Sequence, residues 1–286
     1  MVYWCRGSPL RPSVNNPVNA SSRALASLLL VAVASACLDV GLPKPVAVGF
    51  LTQSAHSDDA SGFLFAPEAT FYGNVNLAVN NPPADSCFIA VVQSAGGDTP
   101  IYTTLDAGPG IFTRLGTTRQ DTLLPVLSGG ILSYRPRLGE RIPFVPGDSI
   151  EIVVPGAAVG FPSVTLQSRT SEEFTHDPIP TPTAVAAIPF TWTPAPAPGS
   201  AMVLSLRYAN SFSSGAVNEQ IYCGFVDDGS ATVPSNLTTG WVNALDGRRE
   251  IRVTRLRTKT TLLDSGRRFT FISTFTLPLP AFPSGF

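Results

Sequence analysis

The chain has 286 residues, 14% of them charged, with 27 prolines, 24 glycines and a formal net charge of −1. That length has room for two domains of ordinary size. The sparse, nearly balanced charge argues against a general nucleic-acid footprint, and the turn-rich composition argues against a helical bundle.

The first readable element is Arg23 followed by the apolar and small-residue run of residues 24–36, which ends Ala32-Val33-Ala34-Ser35-Ala36. A positive charge, a short greasy core and small residues at alternate positions form the order of a secretory signal peptide. The run is shorter than the roughly 20 residues that span a bilayer. The leader before it is long and carries Arg6 and Arg11; a start at Val14 or Val18 would leave a conventional one. A buried apolar helix, or the arm of a viral coat subunit, is the competing reading of the run. Ala34-Ser35-Ala36-Cys37 resembles the lipobox of bacterial lipoproteins. That resemblance implies an acylated Cys37 as the first mature residue, and Leu38, in place of an Asp, implies the outer membrane. The family prefers Leu or Val where this chain has Ala34, so plain cleavage after Ala34 or Ala36 also fits. Without residues 1–36 the chain keeps 16 basic and 20 acidic residues, a net of −4.

Residues 37–45 are short and Pro-bearing and read as a tether. Of the four cysteines, Cys5 leaves with the leader and Cys37 is the lipid candidate. Cys87 and Cys223 remain, each in a strand-like run, Cys87-Phe88-Ile89-Ala90-Val91 and Ile221-Tyr222-Cys223-Gly224-Phe225. In an oxidising compartment they form a candidate disulfide joining the two halves of the chain. Two separate buried thiols are the alternative.

From residue 46 to 170 short β-branched and aromatic runs are broken by turn residues every eight to twelve positions, the rhythm of a β-sandwich or barrel. Residues 70–79 alternate, with Val75, Leu77 and Val79 on one face, and Asn80-Asn81-Pro82-Pro83 ends them. Val145-Pro146-Gly147-Asp148 is a turn that launches the strand Ser149-Ile150-Glu151-Ile152-Val153-Val154. Pro178, Pro180 and Pro182 predict a stiff linker over 171–183, and 184–286 a second sandwich. There Ile188-Pro189-Phe190-Thr191-Trp192, a Pro-rich turn and Ala201-Met202-Val203-Leu204-Ser205-Leu206 resemble the early strands of fibronectin type III and other immunoglobulin-like modules. Trp192, Val203 and Leu206 read as core. Residues 247–279 predict a long hairpin with Phe269, Phe271, Ser273 and Phe275 on one face.

No catalytic constellation emerges. Leu262-Leu263-Asp264-Ser265-Gly266 looks like the Asp-Ser-Gly loop of aspartic proteases, but Arg267 follows and no second such loop exists; a hairpin turn explains it better. His56 and His176, each beside acids, lie in loop-like segments, and no Gly-x-Ser-x-Gly elbow or zinc motif is present. Asp227-Asp228-Gly229-Ser230 offers oxygen ligands for calcium, with a plain turn the stronger reading. Arg252, Arg255, Arg257 and Lys259 make a basic strand, of which Arg255, Arg257 and Lys259 share one face as a basic patch for phosphate or an acidic polymer; charges that keep an exposed strand from edge pairing are the stronger reading.

The expectation is therefore all-β: two immunoglobulin-like β-sandwich domains, 46–170 and 184–286, after a signal segment. The build resembles uncharacterised bacterial surface lipoproteins. It implies a non-enzymatic binding or scaffolding protein of the cell envelope, anchored to the membrane by lipid or else periplasmic or secreted, free of cofactors and metals, with an envelope protein or polysaccharide as partner and no nucleic acid. The rivals are a jelly-roll coat subunit of a small virus and an envelope hydrolase.

Overall fold

The computed structural model describes residues 46–56, 64–65, 67–75, 84–91, 103–116, 119–138, 140, 142–180, 182–209, 219–244 and 249–278. The signal segment, the tether and Cys37 lie outside these residues. The described chain is all-β. Its first half supplies β1 (Val46–His56), β2 (Leu64–Phe65), β3 (Glu68–Val75), β4 (Ser86–Val91), β5 (Thr103–Thr104), β6 (Ile111–Leu115), β7 (Arg119–Ser128), β8 (Ile131–Arg135), β9 (Ile142–Pro143), β10 (Ser149–Val154) and β11 (Val164–Arg169). The second half supplies β12 (Ile188–Thr191), β13 (Ser200–Tyr208), β14 (Glu219–Val226), β15 (Ser230–Val233), β16 (Arg249–Leu262) and β17 (Arg268–Pro278).

Thirteen strands form one connected sheet, in the order β11-β10-β6-β7-β8-β3-β1-β17-β16-β13-β14-β4, with β5 beside β3. β7 is the corner: residues 119–123 pair with β6, residues 124–128 with β8. Its two halves therefore belong to two layers. The smaller layer closes over one face of the larger, where Phe161 lies 4.7 Å from Phe71 and 6.4 Å from Phe269 between ring centroids. Phe144 meets Phe275 in the same way. Farther along that face, Phe190 of β12 and Trp192 just after it pack on Phe225.

The predicted hairpin is β16 and β17, joined by the short turn Asp264–Gly266. Phe269, Phe271, Ser273 and Phe275 are all fully buried on one face. β17 also pairs in parallel with β1, so the last described strand closes against the first. Gly49 sits at that junction because a Cβ there would lie 2.6 Å from the Phe71 ring.

The division into two sandwiches at 171–183 does not describe this arrangement. β4 of the first half pairs with β14 of the second, and β1 with β17. Contacts gather Pro45–Phe286 into one compact unit. The segment expected to be a linker begins inside the core: Ser171, Glu172 and Phe174 are buried. The Ser171 N–H donates to Ser273 Oγ and its hydroxyl to the Arg255 carbonyl, both at 2.9 Å. The prolines that suggested a linker lie just downstream of this anchored stretch.

Candidate functional site: a trough on the open sheet face

Alternation along β16 puts Ile251, Val253, Arg255 and Arg257 toward the covered face and Arg252, Thr254 and Leu256 toward the other. Arg255 is 0% exposed. Its Nε lies 2.8 Å from Asp227 Oδ2 and its Nη2 donates to Oδ1 at 3.1 Å. It also donates to the carbonyls of Glu173 and Thr193 and stacks its guanidinium over Phe174. Asp227 takes further hydrogen bonds from Trp192 Nε1 at 2.7 Å and Ser200 Oγ at 2.6 Å. Arg257 holds Glu172 through Nε and Nη2 and donates to the carbonyls of Pro198 and Ala197. A buried charge persists only when paired and hydrogen-bonded, and both guanidinium groups meet that condition.

These bonds correct the expected basic patch. Arg255, Arg257 and Lys259 do share a face, but it is the core face of an internal strand, and only Lys259 is exposed. The charges therefore do not guard an edge; they clamp residues 172–173 and 193–198 onto the sheet. The calcium reading of Asp227 gives way likewise, because its carboxylate is occupied by Arg255, Trp192 and Ser200. Asp228 Oδ1 instead accepts the Ser230 N–H across the turn. His176 is half-buried, with Nδ1 2.7 Å from the Asp177 carbonyl and its ring against Phe190. The side chain of His56 lies outside the described residues. Among the described residues no group of three or more His, Cys, Asp and Glu side chains is placed to hold a metal.

The opposite face of β14, β13, β16 and β17 carries a shallow trough. One part, of about 480 Å³, is lined by Ser205, Arg207, Gln220, Tyr222, Arg252, Thr254 and Thr274 among others. The adjoining part shares Val203 and Leu256 and is more apolar, with Ala201, Gly224 and Val226. Glu250 binds Arg207 at 2.8 Å and lies 3.8 Å from Arg252, so two cations share one carboxylate. Ser205 donates to Gln220 Oε1 at 3.0 Å, which leaves the Gln220 amide nitrogen as a donor. Tyr222 meets Phe88 of β4 edge-on at 5.7 Å. Burial pushes the Tyr222 hydroxyl above its ordinary value, so it remains a donor at neutral pH.

Cys87 and Cys223 lie directly opposite each other across β4 and β14 and are joined as a disulfide. The bridge fastens the strand bearing Phe88 to the strand bearing Tyr222. From the sequence, Val203 reads as core and Arg252 as one member of a basic strand, and nothing there brings the trough residues together. Val203, Ser205 and Arg207 alternate visibly, but the alternation does not say which face becomes covered. No protein-family model matches the chain, and no curated protein matches it.

Proposed function

We propose that this chain is a non-enzymatic binding or scaffolding protein of the bacterial cell envelope, and that the trough is its binding surface. Residues 1–36 direct export, acylated Cys37 anchors the protein to the outer membrane, and 37–45 tether the fold. The disulfide supports an oxidising compartment. Among the described residues no helix is long and apolar enough to cross a membrane.

The observation that carries the binding role is the trough's lining. Tyr222, Gln220, Arg207 and Arg252 present donors, the Tyr222–Phe88 pair adds aromatic surface, and Val203 and Leu256 supply an apolar floor. An extended polar polymer with hydroxyl and carboxylate groups, such as an envelope polysaccharide, suits donors spaced across three strands. Glu250, the carboxylate that Arg207 and Arg252 share, is already held by Arg207, which fits binding better than proton transfer.

The test is co-sedimentation with peptidoglycan sacculi and with purified outer-membrane polysaccharide, comparing the native chain with Tyr222→Ala/Arg252→Ala. Saturable retention that the double variant loses by about tenfold or more supports the reading. Equal retention of the two chains, or none, overturns it.

A further inference from the structure

We propose that the tip of the β7–β8 hairpin inserts into the interfacial layer of a lipid bilayer. Gly129 and Gly130 form its two-residue turn, with φ of +57° and +81°. Positive φ at both positions is what a tight hairpin turn requires and what glycine permits. From Thr122 to Tyr134 the chain carries no charged residue. Val126, Leu127 and Ile131 are 39%, 72% and 50% exposed.

The register decides what such a tip can meet. Val126 pairs with Ser133, Leu127 with Leu132 and Ser128 with Ile131. Val126 and Ile131 therefore point to one side and Leu127 to the other. A docking protein covers one side of a hairpin. Aliphatic side chains on both sides are removed from water only by a medium that surrounds the tip, and the headgroup and acyl boundary does so over roughly 5–10 Å of depth.

The hairpin is also braced for insertion. At its base the Tyr134 hydroxyl donates to Asp106 Oδ1 at 2.9 Å and accepts the Ala107 N–H at 2.7 Å. The Leu132 N–H donates to Thr104 Oγ1, and Arg135 pairs with Glu68 at 2.6 Å. Arg135, the first charge behind the tip on β8, is thus paired, so the attraction is apolar and the contact is expected to be insensitive to lipid charge and salt. This contact goes beyond the binding reading above and needs no lipid on Cys37.

The test uses the full chain with Cys5→Ser and Cys37→Ser, labelled with an environment-sensitive fluorophore at Leu127→Cys or, as a control on an exposed strand position, at Ser54→Cys. Mass analysis confirms the Cys87–Cys223 bridge in each chain before use. Phosphatidylcholine vesicles are expected to blue-shift the label at 127 and not at 54, equally in low and high salt. Adding Ile131→Asp to the 127-labelled chain is expected to raise the lipid concentration at half-change about tenfold. No shift at 127, equal shifts at both positions, or a shift that follows protein concentration without vesicles overturns the proposal; the last assigns the tip to a second copy. Because these chains carry no lipid at Cys37, failure of the anchor reading leaves this result unaffected.

Discussion

Arg255→Met is the substitution that most sharply separates the two faces of β16. The change keeps the volume of the stem and removes the guanidinium. Asp227 retains Trp192 Nε1 and Ser200 Oγ but loses the Arg255 cation, and the carbonyls of Glu173 and Thr193 lose a donor. Breaking a buried pair from one side costs about 3–5 kcal/mol, because the remaining charge stays out of water. Arg252→Met, three residues earlier on the open face, removes a side chain that is 56% exposed and 3.8 Å from Glu250. An exposed pair of that kind is worth about 0–1 kcal/mol. Urea unfolding followed by tryptophan fluorescence reads both, and Trp192 reports directly because it bonds the affected carboxylate. Adding Asp227→Asn to Arg255→Met is expected to cost less than the sum of the two single changes. Equal losses for Arg252→Met and Arg255→Met, or strict additivity of the pair, would refute the clamp.

Two further outcomes follow from the same geometry. Reduction, or the Cys87→Ala/Cys223→Ala variant, is expected to lower stability by about 2–5 kcal/mol, since the bridge closes a loop between residues 136 apart in sequence; an unchanged urea midpoint would contradict this. Tyr134 is pushed up to about 12 by burial first, with its hydrogen bond to Asp106 adding to the rise. The folded state therefore holds that proton more tightly than the unfolded chain, so the contribution is complete below about pH 10 and declines as pH rises toward 12, by roughly 2–3 kcal/mol in all. Tyr134→Phe is expected to flatten that decline in urea midpoints measured across the range, and an equally steep decline in the variant would assign it to other groups.

The strand content was readable because the signal is local. Residues 268–278 set Phe269, Phe271, Ser273 and Phe275 at alternate positions, and residues 145–154 place Pro and Gly before a β-branched run. Both became the elements their patterns predict. The cysteine pair was readable from compartment logic and strand context. What the sequence did not disclose is which strands meet. β1 and β17 pair in parallel across nearly the whole described chain, and neither carries a mark of the other. Arginines 255 and 257 looked like surface charge because their acids lie 28 and 85 residues away. The linker reading failed for the same reason. Pro178, Pro180 and Pro182 give a strong local signal of stiffness, while the anchoring of Ser171 and Glu172 depends on β16 and β17 far downstream. The trough was hidden because it is defined by which side of the sheet the described layers leave uncovered, a property of the whole arrangement of strands and not of any one segment.

The measurement that bears most directly on the proposed role is the intact mass and non-reducing peptide map of the full chain recovered from the envelope of a bacterial expression host. The account predicts a mature chain that begins at an acylated Cys37 and yields one peptide pair linked through Cys87 and Cys223. A chain that keeps Met1 and carries both of those cysteines as free thiols would contradict it.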